Sequence, residues 1–364
     1  MAPDLKNSRI EQLLSTLVLE ELDGLLVTHP PNIRYMSGFS GSAGILAVSA
    51  DTVVLFTDPR YRTQAELEVD KAVRVEICST DMWRRVWAVL GETPSLRTFG
   101  FESHSVTVRQ ASDIAKAKSI DELRPADSLV ERQRVSKSPS EVESMRSAAR
   151  LAVEALDRTL KRVRVGLTEL QVAGMLEQEL RVGGSERHPF PTIVASGPRS
   201  ALPHAQTSER EIQSGDFLLL DFGAQVDGYC SDITRTVVVG SKADDRQREV
   251  YEMLERVQRF ACNEIRAGMT GRAADALARK PIENAGFADA FEHSLGHGLG
   301  LEVHEEPRLS KTNKSELPVG AVVTVEPGVY LRGWGGIRIE DDVFLGENGP
   351  DLLSDGNSEL REIT

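Results

Sequence analysis

Four carboxylates in this 364-residue chain recur in a pattern that could hold metal ions. The segment Gly215-Asp-Phe-Leu-Leu-Leu-Asp221-Phe-Gly223 matches Gly320-Ala-Val-Val-Thr-Val-Glu326-Pro-Gly328 in layout. In both, a glycine and an apolar run of about a strand's length lead to a carboxylate and then to a glycine turn. In both, a second carboxylate follows after a Gly-containing segment, at Asp232 and at Glu340, and another apolar run closes the copy (236–239 and 343–345). This weak internal repeat predicts two similar halves whose strands face each other across a shared site. Asp221 would end one strand and Asp232 begin its hairpin partner, with Glu326 and Glu340 as their counterparts. Taken singly, each reads as well as a solvated turn residue, since acidic side chains are usually exposed. Their paired recurrence at the ends of apolar runs argues for convergence. Four converging anions raise one another's pKa and cannot all stay ionised unaided. Two divalent cations would cancel that charge.

A fifth donor comes from the window His293-Ser-Leu-Gly-His297-Gly-Leu-Gly-Leu-Glu-Val-His304-Glu-Glu-Pro, which holds three of the chain's seven histidines. Glycines flank His297 on both sides, allowing backbone or metal to approach closely. An oxygen-rich donor set with one imidazole favours a hard to borderline ion such as Mn²⁺, with Co²⁺, Fe²⁺ or Zn²⁺ as alternatives.

The elements that must position these residues can be read from spacing. Alternating strands and helices up to about residue 130 predict an α/β N-terminal domain (1–130). It opens with a helix over 8–21, with Ser8 and Glu11 at capping-box spacing, and strands over 24–28, 44–48 and 52–56. Residues 131–140, charged and polar, read as a linker to a second domain over 141–364. There Ser138, Pro139 and Glu141 launch a long helix. Its apolar face runs from Val142 to Val163, and Gly166 is the expected stop. Thr168 with Gln171 starts a second helix, and Asp244 a third.

Composition bounds the function. Hydrophobic residues at 40% and charged residues at 27% fit a globular domain pair. The net charge of -13 argues against a nucleic-acid-binding surface. Three scattered cysteines, Cys78, Cys230 and Cys262, form neither a disulfide framework nor a thiolate zinc site. The opening Met-Ala-Pro-Asp-Leu-Lys lacks signal-peptide character. No apolar run is long enough to span a membrane. A cytoplasmic enzyme with no membrane association is expected.

The motifs Leu220-Asp221-Phe-Gly, Ser231-Asp232-Ile-Thr-Arg-Thr, Gly296-His297-Gly-Leu-Gly-Leu-Glu-Val-His304-Glu, Val325-Glu326-Pro-Gly and Ile337-Arg338-Ile-Glu340-Asp together resemble those of the creatinase-fold metallopeptidases. That group includes Xaa-Pro aminopeptidase, Xaa-Pro dipeptidase (prolidase) and methionine aminopeptidase. The resemblance covers about residues 140–364 and implies an α+β "pita-bread" domain of two pseudo-symmetric halves. Segments 32–44 and 57–65 resemble the N-domain of the prolyl-peptidase branch, which methionine aminopeptidases usually lack. Creatinase itself shares the plan but lacks the ligand set.

Carried over residue by residue, the resemblance implies that Asp221 chelates one ion and His297 the other. Glu326 would complete the second ion's set of ligands and relay a proton, while Asp232 and Glu340 bridge both ions. Water held between two ions becomes a nucleophile near neutral pH. His304 would polarise the scissile carbonyl, and His204 and His293 would contact the proline side of the substrate. Tyr330 and Arg338 are further substrate-binding candidates. Residues two apart on a strand face the same way, so Arg338 is expected beside Glu340, orienting it. The implied reaction is hydrolysis of the N-terminal Xaa-Pro bond of short proline-containing peptides by a homodimer. The window 298–307 leans slightly toward a dipeptidase; an aminopeptidase acting on longer peptides is the alternative. A non-catalytic binding protein on the same fold is a third reading, which five intact ligand types disfavour.

Overall fold

The computed structural model describes residues 3–92, 97–114, 120–354 and 356–364. The chain divides into two compact units, Met1–Arg134 and Val135–Thr364.

The first unit is built on a six-stranded mixed sheet. Its strands lie in the order Arg74–Ile77, Val53–Thr57, Gly44–Ser49, Gly24–Val27, Thr98–Glu102, Glu122–Ala126. Gly44–Ser49 is antiparallel to both neighbours, and the other three pairings are parallel. Leu26, Ala47, Val54, Phe56 and Phe99 pack with Val86, Val89 and Leu90 of a helix over Met82–Leu90. The first helix spans Pro3–Leu19, so Ser8 lies inside it rather than capping it. Proline is tolerated in a helix's first turn, where its missing N–H has no partner to lose.

The second unit shows the repeat as architecture. Each half supplies a pair of packed helices, Pro139–Leu160 with Glu169–Val182 and Asp245–Glu264 with Gly271–Asn284. Each also supplies an antiparallel sheet. One sheet runs Glu362–Ile363, Ile233–Val239, Asp216–Phe222, Ile193–Ser196, with only its first pairing parallel. The other runs Glu305–Leu309, Gly296–Gly298, Val322–Val325, Asp341–Gly346, Gly349–Leu352. Gly215 and Gly320, the first residues of the two copies, adopt near-identical left-handed backbones (φ 87° and 89°). Each copy interposes a two-stranded ribbon between its main strands: Gln225–Val226 with Tyr229–Cys230, and Gly328–Leu331 with Gly335–Arg338. A bridge between Thr234 and Glu340 joins the halves. Buried Arg235 reinforces it, donating to the carbonyls of Thr234 (3.0 Å) and Glu340 (2.6 Å) and to Asp341 (2.7 Å).

The three capping signals act as their spacing predicts, with reciprocal boxes at Ser138/Glu141, Thr168/Gln171 and Asp244/Gln247. The long helix nevertheless ends at Leu160, short of Val163 and Gly166. Val163 is buried in the turn that follows, so its apolar character reports burial and not helix. The segment 131–140 is only partly a connection. Its first residues complete a helix over Leu129–Arg134, where Gln133 and Arg134 are buried, and Pro139 opens the next helix. Among the described residues no helix is long and apolar enough to cross a membrane.

Lys137, beside that helix start, forms a buried ion pair with Glu305 (3.1 Å; side chains 1% and 7% exposed). Removing one partner of such a pair leaves an uncompensated buried charge. Lys137→Met should therefore destabilise the second unit by roughly 3–5 kcal/mol. Adding Glu305→Gln should recover part of that loss. Thermal unfolding of the two variants tests both expectations, and a double variant no more stable than the single would refute the pairing argument.

Candidate metal centre

Four acidic side chains and four imidazoles line a cavity of about 710 Å³ between the two halves, and a fifth acid, Asp342, backs it. Asp221 sits near the end of the Asp216–Phe222 strand and Asp232 immediately precedes the Ile233–Val239 strand. Glu326 follows the Val322–Val325 strand and Glu340 precedes Asp341–Gly346. Antiparallel pairing brings the members of each pair to one sheet end, and the Thr234–Glu340 bridge brings the two ends together.

His297 is the middle residue of the short Gly296–Gly298 strand. A Cβ at Gly296 would collide with the Thr324 carbonyl, and one at Gly298 with the Glu306 carbonyl. The flanking glycines are thus needed for neighbouring strands to close in, not for access of a metal. Nδ1 of His297 lies 3.0 Å from the Gly298 carbonyl oxygen. A carbonyl only accepts, so Nδ1 carries the proton and Nε2 keeps its lone pair. That lone pair faces Glu326 Oε1 at 3.5 Å and Asp232 Oδ2 at 3.8 Å.

Asp232, His297 and Glu340 each offer a ligand atom within 4.8 Å of the other two. Glu326 joins them through His297, while Asp221 lies outside that tight group and faces the same cavity. One oxygen of Asp221 is held at 2.5 Å by Arg338, and the other, Oδ1, is buried with no hydrogen-bond partner. Burial, followed by mutual repulsion, pushes Asp232 and Glu340 well above the usual carboxyl range. Burial raises Glu326 to about 8 and lowers His297 to about 3. An orphaned buried oxygen, a lone pair facing carboxylates and a surplus of buried anions all fit divalent cations.

The surrounding groups fix this geometry. Thr234 Oγ1 donates to Glu340 Oε2 (2.5 Å) and accepts from Arg338 Nε (3.0 Å). Arg338 was expected beside Glu340; its guanidinium instead pairs directly with Asp221 and reaches Glu340 only through Thr234. The guanidinium also donates to the Pro203 carbonyl (3.2 Å) and the Tyr330 hydroxyl (2.7 Å). Tyr330 is not in the cavity wall; its hydroxyl lies 3.0 Å behind His293 Nε2. Nδ1 of His293 donates to the Ser294 carbonyl (2.8 Å), so Nε2 accepts from Tyr330. Burial, then the Arg338 charge, lowers His293 to about 4. His293, His204 and His304 all line the cavity, the last two exposed. The His304 ring stands 4.3 Å from that of His297, and burial, with Arg308 nearby, lowers its pKa.

Sequence reasoning missed Asp342, whose Oδ2 accepts from the Asp232 N–H (3.2 Å) and whose Oδ1 is buried and unpartnered. The run Glu340-Asp341-Asp342 at the start of a buried strand was a legible signal for it. It gave no role to Thr234 and Arg235, although both lie in the motif after Asp232, and it missed Arg308 in the cavity wall, for which the sequence carries no distinguishing mark.

Comparison with known proteins places this geometry. Residues 143–347 match the model of metallopeptidase family M24, and residues 9–136 match the creatinase/prolidase N-terminal domain. An uncharacterized peptidase, YqhT, of Bacillus subtilis (strain 168) is 41% identical over 97% of this chain and 99% of its own length. Among solved structures, an Xaa-Pro dipeptidase from Bacillus anthracis has a TM-score of 0.94 at 39% identity, covering 98% of this chain and 99% of that one. An X-Pro aminopeptidase from Thermotoga maritima MSB8 has a TM-score of 0.91 at 37% identity, covering 98% and 100%. The chain therefore belongs to metallopeptidase family M24, a family whose chemistry implies divalent metal ions, and carries the creatinase/prolidase N-terminal domain ahead of its catalytic unit.

Proposed function

We propose that this protein hydrolyses the Xaa-Pro bond at the N-terminus of short peptides, with two divalent ions, Mn²⁺ by the chemistry of the donors. The observation that carries this reading is the convergence of Asp232, His297 and Glu340, with Glu326 and Asp221 facing the same cavity, in an M24 chain. The scissile bond is a tertiary amide without N–H, and proline fixes its own φ. A site that demands that N–H would reject it. A cavity walled by Phe190, Pro191, Val303 and imidazole faces suits a pyrrolidine ring.

Bound divalent ions supply Lewis acidity, polarising a carbonyl and making water nucleophilic near neutral pH. The protein's own groups do the rest. Asp221, Asp232, His297, Glu326 and Glu340 would hold the ions. Glu326 takes the proton of the attacking water and passes it to the leaving imide nitrogen. His304, neutral by its lowered pKa, donates an N–H to the developing oxyanion. His204 and His293 contact the proline side. Tyr330 and Arg338 act behind them: Arg338 holds Asp221, and Tyr330 fixes the His293 tautomer. A homodimer in the cytoplasm completes the reading, the latter supported by three buried free thiols.

Arg308 favours the dipeptide. A dipeptidase needs a cation to read the substrate's C-terminal carboxylate. Arg308 lines the cavity, and its side chain makes no hydrogen bond or ion pair among the described residues. Hydrogen bonds between charged partners contribute about 1.5–3 kcal/mol. Arg308→Ala should therefore raise KM for Ala-Pro by roughly 10- to 100-fold and leave an amidated Ala-Pro-Ala nearly unaffected. Equal effects on both peptides, or wild-type cleavage of the tripeptide at least as good as of Ala-Pro, would favour the aminopeptidase.

Metal removal gives a second test. EDTA should abolish hydrolysis and Mn²⁺ restore it. Asp232→Ala should lose bound metal and at least on the order of 100-fold in activity. Two retained ions with wild-type turnover would end the assignment.

Stability against pH gives a third. A carboxyl whose pKa is raised by folding binds more protons folded than unfolded, so stability falls as pH rises toward the folded value. Glu326, held near 8, should make the chelated protein melt several degrees lower at pH 8 than at pH 6. Divalent metal should reverse that difference. A chelated protein equally stable at both pH values would contradict the buried-anion account.

A further inference from the structure

One of the buried acids outside the centre sits behind its cavity wall. Glu169, first residue of the Glu169–Val182 helix, is completely buried, yet it faces no metal ligand. Both its oxygens are saturated. Oε1 accepts from the Ser196 N–H (2.8 Å) and Ser196 hydroxyl (2.9 Å). Oε2 accepts from the Ser208 N–H (3.0 Å) and Ser208 hydroxyl (2.7 Å). Arg199 Nε bridges the two oxygens at 3.2 and 3.1 Å. The donors lie on the two sides of one loop, residues 196–208. Carboxylates bonded to an ionised partner hold more strongly than neutral pairs.

That loop forms one wall of the cavity, through Pro203, His204, Ala205, Gln206 and Thr207. Beyond Ser196, which ends the Ile193–Ser196 strand, it contains no strand or α-helix, only a short 3-10 turn over Gly197–Ala201, so nothing in regular secondary structure fixes His204. Its other anchors lie both apart from this staple, where the Val194 N–H donates to Thr207 Oγ1 (2.9 Å) and the Gly336 N–H to Ser200 Oγ (2.7 Å), and around it. Arg199 Nη2 donates to the Gln206 carbonyl, and the Leu170 N–H donates to the Ser208 carbonyl (3.0 Å). At the tip, Arg338 donates to the Pro203 carbonyl (3.2 Å), tying the loop to the side chain that holds Asp221.

We infer that Glu169 is a positioning residue for substrate recognition: it closes the 196–208 loop and so presents His204 to the cavity. The inference rests on the proposed Xaa-Pro activity for its kinetic consequences, but not for the loop itself. Glu169 touches neither substrate nor metal. Its loss should weaken binding on the proline side without removing the metal ligands.

The test compares Glu169→Gln, Ser208→Ala, His204→Ala and the Glu169→Gln/His204→Ala double variant in the Mn²⁺-loaded enzyme. Glu169→Gln keeps shape and one acceptor oxygen but loses the charge. It should raise KM for Ala-Pro by about 10-fold, with kcat within about 2-fold and metal content unchanged. Ser208→Ala removes one donor and should shift KM the same way by less. If Glu169 acts through His204, adding Glu169→Gln to His204→Ala should cost less than about 2-fold more, because coupled residues are non-additive. Amide hydrogen exchange over residues 193–210 should speed up in Glu169→Gln and, less, in Ser208→Ala. Unchanged KM, fully multiplicative effects, metal loss matching the activity loss, or wild-type exchange in the loop would each overturn the inference. If Glu169→Gln does not fold, Ser208→Ala with wild-type KM and exchange overturns it as well. Wild-type protein inactive on every Xaa-Pro peptide would sink the proposed function instead, and the exchange measurement would still decide whether Glu169 holds the loop.

Discussion

Like charges a few ångströms apart in a poorly solvated interior repel strongly, and the second unit of this protein forces that arrangement on itself. Asp221, Asp232, Glu326, Glu340 and Asp342 crowd one cavity end, and Arg338 is the one buried cation bonded directly to any of their carboxylates among the described residues. Water cannot relieve the crowding, because most of these side chains are buried. The raised carboxyl pKa values express the cost. The rest of the unit supplies the packing that keeps the anions together. It also leaves lone pairs, on His297 Nε2 and Asp221 Oδ1, turned toward the same space. Divalent cations are what such a centre selects.

Holding the anions requires the two halves to be locked in register. The lock is the Thr234–Glu340 bridge with Arg235 beneath it. Arg235 also pairs with Asp341, which accepts further bonds from Gln258 (2.7 Å) and Ser354 (2.6 Å). Adjacent strand residues point to opposite faces. Glu340 therefore faces the cavity while Asp341 is turned into this supporting network, and Asp342 returns toward Asp232. Alternation makes one three-residue acidic run serve both the site and its scaffold.

What the sequence revealed follows from the range of the physics involved. The capping boxes at Ser138, Thr168 and Asp244 need only three residues, so spacing alone located those helix starts. The four repeated carboxylates were legible because strand-end position and recurrence are both sequence properties. Arg338 was misplaced because the two-residue rule assumes one continuous strand. The chain changes partners between Arg338, which ends the ribbon strand Gly335–Arg338, and Glu340, which bridges to the other half. Arg338 consequently reaches Asp221, 117 positions away. Tyr330 and Arg308 were hidden in the same way: whether a side chain lines a cavity or backs another residue depends on contacts that no local pattern encodes.

The histidines lining the cavity mark the same boundary more sharply. His297 has glycines on either side because two strands press against it, which leaves a trace in the sequence. His204 lies on a loop whose shape is set by an acid 35 positions earlier, and nothing around it in sequence announces a role. His293 is fixed from behind, through Tyr330 and Arg338, by the guanidinium that also restrains Asp221. One arginine thus links the Asp221 carboxylate, the His293 imidazole and, through the Pro203 carbonyl, the His204 loop. A cavity built this way couples the placement of its crowded carboxylates to the shape of its wall at His204 and His293. The two cannot vary independently, because both hang from the same planar, buried fork.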